Sequence, residues 1–229
     1  PGQNAPANVE QVTRQALEEL RPIFRAELRL LTSAIDPTPS QRREIALEAG
    51  RTLRQVIAST AKNNPNVPLG RVTAITNDPR KLVRNHFEIA AWPKMSPKQA
   101  GLYRTEVDRK TRARREVVVL NVVASLDKHL SFDANQREKL CEALRSDWDD
   151  RDYPSPETSV DYDAYVPMVP DQSIVPILTE GQRKVWRGLR KVHLGTVRVV
   201  NPPNAILVVE PGDVPEDEDV TAALAEPKR

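Results

Sequence analysis

The sequence predicts an all-α protein: an irregular set of antiparallel helical hairpins, with long proline-rich connections and an extended C-terminal arm. Three observations predict it. Apolar residues recur at steps of three to five over most of the chain, the periodicity of amphipathic helices. A short polar header of helix-starting type occurs four times. Only 8 glycines stand against 20 prolines in 229 residues, which disfavours sheet folds with many tight turns and loops that cradle phosphate. The prolines lie mostly outside the periodic segments, where they punctuate helices and stiffen connections.

The first helix is expected from Val9 to about Ser33, on the stripe Val12, Leu17, Leu20, Ile23, Phe24, Leu28 and Leu31. Pro22 should bend or split it. A second helix runs from near Thr38 to about Ala61, burying Ile45, Ala49, Leu53, Val56 and Ile57. An irregular connection, KNNPNVPLGRVTAITNDP, leads to a short helix over Arg80–Ala91. The fourth helix, Pro97 to His129, buries Val119, Leu120, Val123, Leu126 and Leu130. Its EVVVLNVV run favours a strand by propensity, but helical flanks and missing turn residues make it helix. Asp133 to about Trp148 follows after a tight turn, so these two helices should form an antiparallel hairpin. An extended crossing rich in proline and tyrosine then leads to the last helix, Glu180–Val192.

The headers explain where helices begin. Thr38/Gln41, Ser96/Gln99, Asp133/Gln136 and Thr179/Gln182 share one spacing, the capping-box pattern. The first side chain accepts from an orphan backbone N–H, and the glutamine returns a bond to the cap residue. Pro39 and Pro97 follow their caps directly, at the first helical position, where the missing N–H costs nothing. Met95, Phe132 and Leu178 precede theirs as hydrophobic staples. Each cap contributes roughly 1 kcal/mol. The glutamine spacing is too irregular for a stacked solenoid; it fits a helical domain grown by duplication, or helices that each acquired a good cap.

LTEGQ at Leu178–Gln182, with PTPSQ, MSPKQ and FDANQ as looser copies, resembles the LTxxQ motif of the Spy-like periplasmic helical proteins, in a longer exported form with several copies. That resemblance implies a secreted or periplasmic all-helical protein, often oligomeric, that binds rather than catalyses. The family's chaperones are small cradle-shaped dimers; this chain is longer and carries an added arm.

The domains expected are a linker at 1–8, a helical domain at 9–194, and an extended arm with an acidic tail at 195–229. PGQNAPANVE, at a start without Met that reflects either processing or omitted leading residues, reads like the polar linker that often follows a removed signal peptide, so a location in the periplasm, cell envelope or extracellular space is expected. The net charge of +2 conceals an acidic tail on a mildly basic body. No run is long and apolar enough for a transmembrane helix.

No catalytic residue, cofactor site or metal site is expected. His86, His129 and His193 are dispersed and read as surface or capping residues; His129 suits a helix C-terminus. Asp147–Tyr153 lacks the glycine and terminal glutamate of a calcium loop. Lone Cys141 should face the core. Arg104–Glu116 spreads its bases around the helix without stacking aromatics, so nucleic acid is not an expected partner. Trp92, Trp148 and Trp186 read as core. The expected partners are other protein subunits, a second copy of this chain among them. The partner-binding arm is Val197, Val199, Val200, Ile206, Leu207, Val208 and Val209: apolar, β-prone, and without a visible strand to join. The runner-up is an LTxxQ-type periplasmic chaperone or a stress or metal sensor. PEDEDVTAALAEPKR, beyond the arm, is expected to be mobile and solvated.

Overall fold

A computed structural model describes residues 9–63, 79–146, 166–192 and 217–225. The fold is all-α. Its helices are α1 (Val9–Ile35), α2 (Pro39–Asn63), α3 (Pro79–Ala91), α4 (Pro97–Leu130), α5 (Ala134–Ser146), α6 (Asp171–Ile174), α7 (Glu180–Gly188) and α8 (Glu218–Leu224). Single 3-10 turns at Trp92–Lys94 and Val175–Ile177 precede α4 and α7. Two short strands, β1 (Val166–Pro167) and β2 (Lys191–Val192), pair in parallel.

The chain forms two compact units. The first comprises residues 1–108 and 207–229, the second 109–206. The first has its core between α1, α2, α3 and the start of α4, built on Leu20, Phe24, Leu28, Ile45, Leu53 and Phe87. The Phe24 and Phe87 rings meet at 4.6 Å, tilted by 53°, a favourable aromatic geometry. The second unit is built on Val119, Leu126, Leu140, Leu144, Ile174 and Trp186.

Pro22 does not split α1, which continues from Val9 to Ile35 around it. Proline removes one N–H, and the carbonyl it orphans, on Glu18, belongs to an exposed residue that water can serve. Within the second unit α4 and α5 are antiparallel: Asp127 pairs with Arg137 near the turn, and Glu116 with Arg145 farther out. Leu126, Leu130, Leu140 and Leu144 share one core.

Several assignments of individual residues are corrected. Val56 and Leu120 are 39% and 50% exposed. The 3.6-residue turn carries them off the stripes that bury Leu53 and Ile57, or Val118, Val119, Val122 and Val123. Trp92 is 46% exposed, with the Arg104 guanidinium 5.2 Å from its ring centre. The last helix stops at Gly188 rather than Val192. Glycine propagates a helix poorly, Leu189 turns onto the second core, and Lys191 pairs with Val166. The tail expected to be solvated instead folds, as α8.

His86 is neither a surface nor a capping residue: it is buried in the first unit, with Nδ1 3.0 Å from Thr52 Oγ1. Burial lowers its pKa. The neutral ring is therefore favoured by folding, and its contribution is complete above the unfolded value of about 6.5. It is lost as pH falls below that value, because the unfolded chain then binds more protons. Urea midpoints of wild type should fall between pH 7 and pH 5 more steeply than those of His86→Gln. Parallel pH profiles would show that His86 is not responsible.

Candidate interaction site

Thr179 caps α7, accepting from Gln182 N, while Gln182 Oε1 accepts from Thr179 N at 2.9 Å. Ser96 and Gln99 exchange the same two bonds at the start of α4, as do Asp133 and Gln136 at α5. At α2, Thr38 Oγ1 accepts from Gln41 N.

The glutamines do a second job. Gln136 and Gln182 face each other as a reciprocal amide pair, each Nε2 donating to the other's Oε1 at 2.8 and 3.1 Å. Gln136 Nε2 also donates to Ile177 O, and Gln182 Nε2 to Leu130 O, both at 2.9 Å. In the first unit Gln41 and Gln99 pair the same way, at 3.5 and 3.4 Å. There Gln41 Nε2 donates to Lys94 O and Gln99 Nε2 to Ile35 O. Each glutamine thus supplies a donor to a helix-end carbonyl next to its partner's cap. Two headers in each unit are joined into one clasp.

The parallel extends beyond the clasps. Asp36 and Ser131, which follow Ile35 and Leu130, have φ of 45° and 50°, the left-handed cap that closes many helices. A proline-bearing 3-10 turn stands before Ser96 and again before Thr179. The units are therefore built on one plan, repeated.

They differ nine positions after the first glutamine of each clasp, where Gly50 and Arg145 stand. In the second unit Arg145 reaches back to Glu116. In the first, α2 presents Ala46, Ala49 and Gly50, and α8 packs on this small-residue face and on α1. A side chain on Gly50 would run into the carbonyl of Ala223. Val220, Ala223 and Leu224 are buried there as part of the first core.

Charged groups fix both ends of α8. Asp217 caps it, its Oδ1 accepting from the backbone N–H of Asp219 and Val220. Arg42 spans the same end, one guanidinium nitrogen on Asp217 and another on Asp219. At the far end Arg54 Nη2 donates to the carbonyls of Leu224 and Ala225, both at 2.8 Å, groups the helix leaves without partners. A seven-residue helix is unstable alone; the groove stabilises it. A short acid-capped helix is thus held at both ends by arginine.

A second concavity, of about 440 Å³, lies in the second unit beside Asp171, Val175, Arg183, Trp186, Arg187 and Lys191. Trp186 Nε1 donates to Asp171 Oδ1 at 2.8 Å, and Lys191 Nζ lies 4.1 Å from the centre of its ring. Asp171 is thereby engaged, and the lining carries no thiol, hydroxyl or imidazole nucleophile. Among the described residues no group of three or more His, Cys, Asp or Glu could hold a metal ion. No described helix is long and apolar enough to cross a membrane. Cys141 is buried, which raises its thiol pKa; His129 is exposed at the end of α4.

The proposed arm, Val197, Val199, Val200, Ile206, Leu207, Val208 and Val209, lies outside the described residues, as do His193, Trp148 and the acidic run at 147–153. Sequence reasoning missed Arg42, Gly50 and Arg54, and the tail they hold. A signal was present: Asp217-x-Asp219 opening Val220-x-x-Ala223-Leu224 is a capped amphipathic turn, and α2 carries a glycine inside an alanine-rich stripe. Comparison with known families, characterised proteins and solved structures returns no match.

Proposed function

We propose that this chain is a non-enzymatic interaction subunit that binds other proteins within a larger envelope or extracellular assembly. The observation that carries this reading is the groove of the first unit, which holds a segment remote in sequence by paired arginine contacts and close small-residue packing. Such a groove takes helical segments in the manner of helix-in-groove recognition. The arm at 196–210 is a second means of attachment. Its valines, Ile206 and Leu207 gain stability only on a surface that buries them.

A second reading is favoured by the glutamine clasps: an LTxxQ-type helical protein of the periplasm, acting as a chaperone or a stress or metal sensor. The clasps give the recurring glutamines a shared structural role in both units, without selecting an activity.

Purification of the native protein from its source, without chelator, separates the readings. The expected result is a protein partner at fixed stoichiometry, with no metal and no suppression of client aggregation. Stoichiometric metal, or aggregation suppressed at equimolar protein, would transfer the function to the second reading.

A further inference from the structure

We propose that the α1–α2 groove of the first unit is an exchangeable docking site, and that its occupant in an assembly is the C-terminal helix of a second copy of this chain. The proposal rests on the interaction-subunit reading above and names the partner of the same groove.

The occupant's chemistry is written in the groove. Arg42 asks for two carboxylates, at the cap and two residues on. Gly50 asks for a backbone without bulk above it. Arg54 asks for a helix that ends where Leu224 ends. Asp217, Asp219, Val220, Ala223 and Leu224 meet all three demands. The second unit could not accept this helix in the same way, because Arg145 stands where Gly50 does and is turned to Glu116.

Chain length does not bind the tail to its own groove. The 24 positions between Val192 and Asp217 amount to a chain contour of at most roughly 80 Å, so the covalent connection alone does not dictate which copy's groove is filled. In dilute solution the tail's own groove sees it at a local concentration on the order of millimolar, so self-docking prevails. Copies held side by side in an assembly present one another's tails at similar concentration, and exchange then competes on equal terms. The contacts are the same in both arrangements. Exchange therefore adds a link between subunits without needing a new surface.

Full-length charge-swapped chains test this. In the first, Arg42→Asp repels its own tail. In the second, Asp217→Asn with Asp219→Arg keeps the cap but repels its own groove. A third chain combining Arg42→Asp with Asp217→Asn and Asp219→Arg restores the pair internally. The first two should each be monomeric alone and should double in mass when mixed, by light scattering after size exclusion. The combined chain should remain monomeric. A fluorescent peptide of residues 213–227 should bind the second chain at least about tenfold more tightly than wild type, whose groove is already filled.

If the peptide binds but the mixture keeps the monomer mass, exchange is overturned and the groove stands as an interaction site. If the peptide fails to bind the vacated groove, the docking site falls, and the interaction reading loses its main support. Wild-type chains labelled separately on the tail and on α2 give a check free of destabilising changes. Energy transfer between molecules should appear as concentration approaches millimolar, and its absence there overturns exchange.

Discussion

Arg84→Met should destabilise the first unit by about 3–5 kcal/mol, the penalty for leaving a buried charge without its partner. Glu27 is 2% exposed and meets Arg84 through two bonds, at 3.1 and 3.4 Å. Burial disfavours charge on Arg84, yet its pKa is raised, because the hydrogen bond and charge of Glu27 outweigh desolvation. Remove the guanidinium and the Glu27 carboxylate stays buried beside Glu88, whose own pKa burial already raises. The double change Glu27→Leu with Arg84→Met should recover most of the loss at neutral pH, since an apolar pair of similar size often replaces a buried ion pair without penalty. A single-variant loss below 1 kcal/mol would mean that water reaches Glu27, and the ion pair would then be of the weak surface kind.

The helices were legible in the sequence because their stop and start signals are local. A Thr-Pro-x-Gln or Asp-x-x-Gln header specifies a helix start through bonds that span three residues, and nothing distant can overrule it cheaply. The stripe of Leu20, Phe24, Leu28 and Leu31 fixes one face of α1 in the same way. What the glutamines do beyond capping was not legible. Whether Gln41 reaches Lys94 or water depends on where a turn more than fifty residues away comes to rest. The tail was misread for a related reason. An acidic composition describes average solvation, whereas two carboxylates placed against Arg42 and the buried Val220, Ala223 and Leu224 packed into the core beside Gly50 make a bound helix. Gly50 could be read as a weak point in α2. Only the approach of Ala223 shows that the missing side chain is the site.

Gln136→Glu tests the clasp most severely, and should cost on the order of 3 kcal/mol through the two donors it removes, each unsatisfied partner costing about 1–3 kcal/mol. The substitution preserves size but turns the amide donor into an acceptor. Nε2 now serves Ile177 O and Gln182 Oε1 at 2.9 and 2.8 Å, and a carboxylate there would set negative charge against both. Gln136 is 7% exposed, so water cannot readily replace what is lost. Its capping bond from Asp133 N would survive, which separates this loss from the smaller cost of losing a cap, typically about 1 kcal/mol. Double-mutant cycles with alanine should then compare the two units. Gln136 and Gln182 approach to 2.8 and 3.1 Å, whereas Gln41 and Gln99 stand at 3.5 and 3.4 Å. Hydrogen bonds weaken over that range. The coupling between Gln136 and Gln182 should thus fall within the 0.5–3 kcal/mol found for residues in contact, and should exceed that between Gln41 and Gln99. Equal, near-zero couplings in both units would reduce the four glutamines to independent caps and remove the physical reason for their pairing.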